Sequence, residues 1–459
     1  MRSARLIPLL FAACATAHSV ATFVPPAKAA EPVNPRPAAS VSVDAPASSP
    51  GPVASSGVPA KPSVALGSNE KLNVILVSVD ALRADMPWAG YPRDIAPNLT
   101  ALEKESISYT RAYSVSSYTA MSIGGLLAGR YPGELQRSGY FFSGYPEEET
   151  FFPEILQQSG VKTIAAHAHF YFDKRSGFRQ GFDDYRMVAG IGEDRTTAKE
   201  ITSPQHLALA LDQLGSTANT SGQFFAWYHF LDPHEVYQKH EGIHFGSKMR
   251  DRYDGEVFYT DQHLGKLFEF VRSQPWGKRT AIIITADHGE AFGEHKMVLH
   301  GFELWDMLTH VPMFMKIPGV APRRIDTPRS AIDLAPTIVE LMGLPVPSTF
   351  QGKSLVAEVK GAVAPELRDV VLDLPRTSDN FRRRALIWDR YKLLSYDDDY
   401  RFELYDLVDD PSEKKDLRKE RRELYEEMKG RYLERVKSIR DVCPKMRDKL
   451  KGKRPEKPC

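Results

Sequence analysis

The chain has 459 residues, of which 42% are hydrophobic and 26% are charged, values typical of a globular protein. Lys and Arg number 60 and Asp and Glu number 59, so the charge balance gives no argument for nucleic acid as a partner. This length suffices for one large core or for two domains.

The first 30 residues have the pattern of an export signal. Arg2 and Arg5 give a positive start, an apolar run follows, and the small residues at 27–30 suit cleavage. The apolar run is shorter than the ~20 residues that a membrane-spanning helix needs. We therefore expect a periplasmic or extracellular protein. A lipid anchor at Cys14, and with it peripheral membrane contact, is the alternative, because Phe-Ala-Ala-Cys weakly resembles a lipoprotein cleavage box.

Composition divides the rest of the chain into four segments. Residues 31–70 are rich in Pro, Ala and Ser, and we interpret them as a disordered linker that buries too little apolar surface to order itself. A catalytic domain is expected over 71–364 and a smaller subdomain over 365–440. A basic tail occupies 441–459.

Three near-continuous apolar runs are typical of strands buried on both faces of a parallel sheet. They cover 72–79, 223–230 and 280–285. Helical patterns alternate with them, at 96–106, 119–129, 254–273 and 330–343. The alternation predicts an α/β fold with a mostly parallel central sheet between helices.

Polar residues follow these strands and predict a metal site, because ligands in such sheets bind beyond the carboxyl ends of the strands. Asp80 follows the first run, and Asp287 and His288 follow the last. Two carboxylates and an imidazole suit Zn²⁺ or Mn²⁺ better than Ca²⁺, which prefers oxygen ligands. One divalent ion there would polarise an ester oxygen and activate a hydroxyl.

The C-terminal part predicts a small antiparallel subdomain covered by a charged helix at about 412–440. Its short strand patterns are 370–373, 384–388, 391–396 and 402–406.

The segment 116–132, which ends in Leu-Leu-Ala-Gly-Arg-Tyr-Pro, resembles the nucleophile motif of the sulfatase branch of the alkaline phosphatase superfamily. Counting back from Gly-Arg-Tyr-Pro places the nucleophile at Thr119. The resemblance covers about 72–425 and implies the alkaline-phosphatase-like α/β fold. Its other motifs are Val79–Asp85, Ala96–Leu99, Leu231–His234, Asp287–Glu290, Gly293–His295, Ile332–Thr337, Leu404–Leu407 and Asp410–Glu413.

Several departures from that family pattern bear on the mechanism. Typical sulfatases carry Cys or Ser, then Pro and Arg, for conversion to formylglycine; this chain has Thr119, Met121 and Ile123 there. Formylglycine chemistry is therefore not expected. Ala81 and His288 replace an Asp and an Asn of the usual calcium site. A Thr nucleophile resembles that of the phosphoethanolamine and glycerophosphate transferases.

The resemblance also implies roles for four histidines. His300 takes a position that is Lys in many sulfatases and His in those transferases, and it or His234 is expected to protonate the leaving oxygen. His167 and His169 lie near the substrate-binding Lys and His of sulfatases, so one of them is expected to contact substrate. Thr119 is expected to be both nucleophile and metal ligand.

These observations predict metal-dependent hydrolysis of a phosphate or sulfate ester through a covalent Thr119 intermediate. The expected substrate is a small-molecule, glycan or lipid ester. Two alternatives stay open: transfer of a phospho group onto an envelope glycan or lipid, and a non-catalytic binding protein derived from a sulfatase.

Overall fold

The computed structural model describes residues 71–173, 176–191 and 201–444. The predicted signal segment with Cys14, the linker and most of the basic tail lie outside these residues.

Fifteen strands in the described residues form a large sheet, a smaller one and a hairpin. The strands are β1 (Asn73–Val79), β2 (Ile107–Tyr113), β3 (Lys162–His167), β4 (Asp184–Met187), β5 (Phe224–Phe230), β6 (Thr280–Ala286), β7 (Ala291–Phe292), β8 (Val298–Leu299), β9 (His310–Lys316), β10 (Arg323–Ile325), β11 (Arg329–Ser330), β12 (Val370–Leu374), β13 (Arg383–Trp388), β14 (Tyr391–Tyr396) and β15 (Arg401–Asp406).

Helices cover the sheets. The α-helices are α1 (Pro97–Lys104), α2 (Thr119–Ala128), α3 (Phe152–Gln158), α4 (Ser203–Gly215), α5 (Thr217–Thr220), α6 (Met249–Ser273), α7 (Asp306–Thr309), α8 (Leu334–Leu341), α9 (Val356–Val359) and α10 (Arg422–Val436). Short 3₁₀ helices occur at Pro87–Ala89, Pro132–Glu134, Phe170–Phe172, Gly277–Arg279, Glu294–Lys296 and Ala331–Asp333. Within the described ranges, none of these helices has the length and apolar character that crossing a membrane requires.

The large sheet confirms the predicted mostly parallel arrangement. Its strand order is β10-β2-β9-β6-β1-β5-β3-β4, and β11 also pairs with β2. β9 pairs antiparallel with β2 and β6, whereas the other neighbouring strands run parallel. β12 to β15 form a separate antiparallel sheet, as the sequence predicts.

The three central strands explain where the site forms. β1, β5 and β6 are neighbours in the sheet and are buried along their whole length. Ser78 aligns with His229 on one side and with Thr285 on the other. Because the strands run parallel, the residues that follow β1 and β6 emerge at the same edge of the sheet.

Alternating side chains of β1 enter two cores, as the two-residue period of a strand requires. Val74 and Leu76 pack in the core that contains α2, α8 and the C-terminal sheet. Ile75 and Val77 pack in the core on the other face, which contains α1, α4 and α6. Burial on both faces removes the polar alternation from the sequence, which explains the continuous apolar runs.

The prediction of a helix at 412–440 was wrong over its first part, because α10 begins only at Arg422. Glu413 and Lys392 form a buried ion pair at 2.8 Å. The amide of Leu417 donates to the carbonyl of Leu404 at 2.8 Å. These contacts hold the segment before α10 against β14 and β15 in turns, and a helix there would break them.

The buried His206 gives a test of the fold's response to pH. Its Nε2 lies 2.8 Å from the carbonyl oxygen of Ala166, and burial lowers the His206 pKa from its ordinary value of 6.5 to about 3. The unfolded chain therefore takes up a proton between these two values that the folded chain does not. The contribution of neutral His206 to the stability of the fold is therefore fully present above pH 6.5 and is lost as the pH falls towards 3.

His206→Gln keeps an N–H donor for Ala166 but cannot ionise. We expect this variant to reduce the slope of the free energy of unfolding against pH by up to about 1.4 kcal/mol per pH unit. Urea unfolding from pH 7 to pH 4 measures it. An unchanged slope in the variant would show that other groups cause the acid sensitivity.

Candidate active site

The predicted metal ligands meet at the edge of the large sheet. Asp80 directly follows β1, and Asp287 and His288 directly follow β6. One potential ligand atom from each lies within 4.8 Å of the others, and all three side chains are buried. Thr119 is the first residue of α2, and its Oγ1 lies 3.2 Å from His288 Nε2. The four residues that the sequence predicts therefore form one cluster.

Local hydrogen bonds fix the orientation of these side chains. Asp287 Oδ1 accepts from the backbone amides of Ala81, at 3.3 Å, and of His288, at 3.0 Å. His288 Nδ1 lies 2.9 Å from the carbonyl oxygen of Gly289, so this nitrogen carries the ring proton. The unprotonated Nε2 is thereby turned towards Thr119 as an acceptor or a metal ligand.

Burial and mutual charge act differently on the two carboxylates. Burial raises the pKa of Asp287, and the charge of Asp80 raises it further. Burial acts in the same direction on Asp80, but the charge of His234 and the hydrogen bond with His229 hold its pKa below the ordinary value. Burial lowers the pKa of His288, which keeps that ring neutral.

His229 is a site residue that the sequence analysis missed. It lies on β5, and its Nε2 donates to Asp80 Oδ2 at 3.1 Å. Its Nδ1 is 2.8 Å from Ser78 Oγ, which also accepts from Trp227 Nε1 at 3.0 Å. Burial lowers the His229 pKa, but the hydrogen bond with Asp80 and the charges of Asp287 and Asp80 together outweigh burial, and the net pKa is raised. His229 thus supplies a positive partner for Asp80.

The residues fit a divalent metal ion. Asp80 Oδ1 and Asp287 Oδ2 are buried and have no hydrogen-bond partner among the described residues. His288 Nε2 lies 3.3 Å from Asp287 Oδ2 and 3.6 Å from Asp80 Oδ1. Unpaired buried carboxylate oxygens are costly, and a cation between these three atoms would satisfy them. Two oxygens and one imidazole nitrogen are donors that suit Zn²⁺ or Mn²⁺.

Three of the predicted histidines surround the mouth of the site, where their side chains are half-buried. The ring of His300 lies 4.0 Å from that of His288 and 5.1 Å from that of His234, measured between centroids. The His169 ring is 6.4 Å from the His234 ring. Burial, followed by the charge of His234, lowers the His169 pKa to about 4.

His167 does not join this group, so the structure brings one of the two candidate histidines to the site. It ends β3, is fully buried, and has no hydrogen-bond partner at either ring nitrogen among the described residues. Its ring stacks on Phe172 at 4.6 Å and meets Trp227 edge-on at 4.2 Å. A side chain packed in this way cannot reach a substrate, so His169 is the candidate that remains for the predicted substrate contact.

A second network missed by the sequence analysis holds His300. Glu290 is buried, and its Oε1 lies 3.1 Å from His300 Nδ1. The Tyr237 hydroxyl donates to Glu290 Oε2 at 2.8 Å. Burial would raise the Glu290 pKa, but the charge and hydrogen bond of His300 outweigh it, so the pKa is lowered. A carboxylate at Nδ1 keeps the proton there or on both nitrogens and directs Nε2 away from Glu290.

Two family models match the chain. The Sulfatase family matches residues 72–344, and the C-terminal region of N-sulphoglucosamine sulphohydrolase matches residues 293–441. The first match covers more than half of the chain and includes every site residue described above.

Curated and solved relatives agree with this match. An ulvan-active sulfatase of Formosa agariphila is 25% identical over 63% of this chain and 65% of its own length, so the chain spans slightly less than two thirds of that relative. The structure of BT4656 with its substrate D-glucosamine-2-N,6-O-disulfate has a TM-score of 0.68 at 17% identity, covering 80% of this chain and 98% of that one. The phosphonate monoester hydrolase of Agrobacterium radiobacter has a TM-score of 0.66 at 17% identity, covering 80% and 95%. These two structures share the fold.

The paired carboxylates lead to a prediction about metal binding. Asp287→Asn removes one of two adjacent buried negative charges, so the metal-free variant should be more stable than the metal-free wild type by about 1–3 kcal/mol. Added Zn²⁺ or Mn²⁺ should raise the melting temperature of the wild type and have little effect on the variant. Calorimetry after EDTA treatment, with and without added metal, measures both effects.

Asp261→Asn is a matched control, because Asp261 is also buried but accepts from the amides of Asn98 and Leu99 away from the cluster. It should keep the metal response of the wild type. An equal metal response in Asp287→Asn would contradict the assignment of Asp287 as a ligand.

Proposed function

Because the chain belongs to the sulfatase family, we propose that it hydrolyses an ester of sulfuric or phosphoric acid, using a divalent metal ion and Thr119 as the nucleophile. The observation that carries this proposal is the placement of Thr119 Oγ1 at 3.2 Å from His288 Nε2, beside the Asp80 and Asp287 carboxylates.

Thr119 is suited to attack for two reasons. Its Oγ1 lies 3.2 Å from His288 Nε2, so the hydroxyl would be next to a cation held by His288, Asp80 and Asp287. The first amides of a helix have no partner inside the helix, so the start of α2 favours the oxygens of an anionic ester. When bound, a divalent ion supplies Lewis acidity that polarises the ester and makes the hydroxyl more acidic.

The proposed reaction has two displacements at phosphorus or sulfur. Thr119 Oγ releases its proton to solvent and forms a bond to the central atom while the bond to the leaving oxygen breaks, and the leaving oxygen takes a proton from His300 or His234. Water then attacks the same central atom and the bond to Oγ breaks. One proton of that water returns to the histidine and the other goes to Oγ, so Thr119 regains its hydroxyl. The products are one alcohol and one sulfate or phosphate ion.

This nucleophile differs from the usual one of the family. Formylglycine is an aldehyde made from Cys or Ser, and the β-carbon of Thr119 bears a methyl group, so it cannot form that aldehyde. A direct hydroxyl attack needs no modification of the chain. Ulvan and a sulfated glucosamine appear in the names of two relatives, and we propose a sugar ester as the class of natural substrate.

The nucleophile can be tested by two substitutions. Thr119→Ala should lower kcat by at least about 10³-fold because no hydroxyl remains, whereas Thr119→Ser should keep measurable turnover. The assay is release of p-nitrophenol from the phosphate, the bis-phosphate diester and the sulfate, each with Zn²⁺, Mn²⁺ or Ca²⁺. Near-wild-type rates in Thr119→Ala on every substrate would remove Thr119 from the mechanism.

Glu290 should act through His300 on the leaving group. Glu290→Gln removes the carboxylate from Nδ1, and we expect kcat to fall by about 10–100-fold with little change in KM. The loss should be larger for a methyl ester than for a p-nitrophenyl ester, because p-nitrophenolate can depart without a proton.

A matched control is Glu256→Gln, which removes a buried carboxylate from another histidine, His240, at 2.6 Å. Any change of kcat in Glu256→Gln should be the same for the methyl and the p-nitrophenyl ester. Equal losses of Glu290→Gln on the methyl and the p-nitrophenyl ester would mean that Glu290 only supports the fold.

A further inference from the structure

Exposed aromatic side chains concentrate beside the proposed active site. Among the residues that the structure describes, four aromatic side chains are strongly exposed: Tyr140 at 54%, Phe142 at 42%, Phe302 at 46% and Tyr400 at 80%. Phe142 and Phe302 belong to one group with Phe141 and Phe170. We call these four residues, Phe141, Phe142, Phe170 and Phe302, the aromatic shelf.

Packing holds the aromatic shelf in place. The Phe141 ring stacks on Tyr118 at 4.3 Å with an interplanar angle of 11°, and it packs against Phe302 at 5.4 Å. Phe142 meets Phe141 edge-on at 5.5 Å and Phe170 at 5.9 Å. These ring pairs lie in the range of favourable aromatic contacts. The exposed rings of Phe142 and Phe302 are thus held in place by packing against Phe141 and Phe170.

A glycine makes this packing possible. Gly301 has φ of 102°, and a Cβ on it would lie 2.8 Å from Phe141 Cζ. The residue between His300 and Phe302 therefore needs to lack a side chain for Phe141 to fit.

Three links connect the aromatic shelf to residues of the proposed active site. Tyr118, which supports Phe141, directly precedes Thr119. Phe302 lies two residues after His300. The Phe142 ring is 6.4 Å from the His169 ring. An ester held at Thr119 with its leaving oxygen at His300 would thus place its leaving group next to these rings.

We propose that the aromatic shelf binds the ring of the leaving alcohol, and that it selects esters whose leaving group presents an uncharged ring face. This inference rests on the proposed function. All four side chains are uncharged, so they offer no ion pair to a charged leaving group. Exposed aromatic faces gain most from a partner that covers them, and both an aryl ring and the C–H face of a sugar ring can do so.

The experiment uses phosphonates, which carry the anion but have no ester bond to hydrolyse. Benzylphosphonate has a CH₂ group in place of the bridging oxygen of phenyl phosphate, and ethylphosphonate is its counterpart without a ring. Calorimetry with Zn²⁺ present should show that the wild type binds benzylphosphonate about tenfold more tightly than ethylphosphonate. Cyclohexylmethylphosphonate in the same titration distinguishes an aryl face from a saturated ring, and a preference for either ring supports the proposal.

Phe142→Ala should bring the ratio of the two affinities, benzylphosphonate over ethylphosphonate, close to one without changing the affinity for ethylphosphonate. Phe142→Tyr should keep the ratio of the wild type. Tyr400→Ala is the control, because it removes an even more exposed aromatic residue, in the turn between β14 and β15. A wild type that does not prefer rings, or a preference that survives Phe142→Ala, would overturn the proposal. Failure of the proposed function would appear separately, as an absence of ester turnover by the wild type.

Discussion

Two buried carboxylates at the ends of neighbouring parallel strands are the constraint on which the site depends. The pairing of β1 with β6 brings Asp80 and Asp287 to one edge of the sheet, and each keeps one buried oxygen without a hydrogen bond among the described residues. Like charges at such close range repel strongly in a low-dielectric interior. The arrangement therefore calls for positive charge, which His229 supplies to Asp80 and which a bound cation would complete.

The other proposed functional groups are arranged around this charge. His288 faces both carboxylates and Thr119 with a nitrogen that carries no proton. His300 packs against His288, with 4.0 Å between ring centroids, and its Nδ1 faces Glu290. Thr119 and His300, the proposed nucleophile and acid, thus both lie beside His288. The aromatic shelf extends the same surface towards the leaving group.

The sequence predicts the sheet and the base of the site because both follow from local patterns. Runs such as 72–79 identify buried strands, and the polar residues that follow them are the candidate ligands. His229 escapes this reasoning because it lies inside a run, and a strand buried on both faces has no visible alternation to single out a polar position.

Long-range contacts explain the other differences between sequence and structure. The link between Glu290 and His300 depends on the β7–β8 hairpin, whose pairing the sequence does not reveal. His167 and His169 differ only in where β3 ends, and element boundaries are poorly determined by local sequence. The late start of α10 depends on the ion pair of Glu413 with Lys392, which are distant in sequence.

The central claim is that the ester is cleaved by two displacements through Thr119 and not by one direct attack of water. The stereochemical course at the central atom separates these routes, since each in-line displacement inverts configuration. An aryl phosphorothioate made chiral with ¹⁶O and ¹⁸O, turned over by the wild type in water labelled with ¹⁷O, gives an inorganic thiophosphate with three different oxygens, and its configuration gives the answer. The account predicts overall retention of configuration, and overall inversion would contradict it.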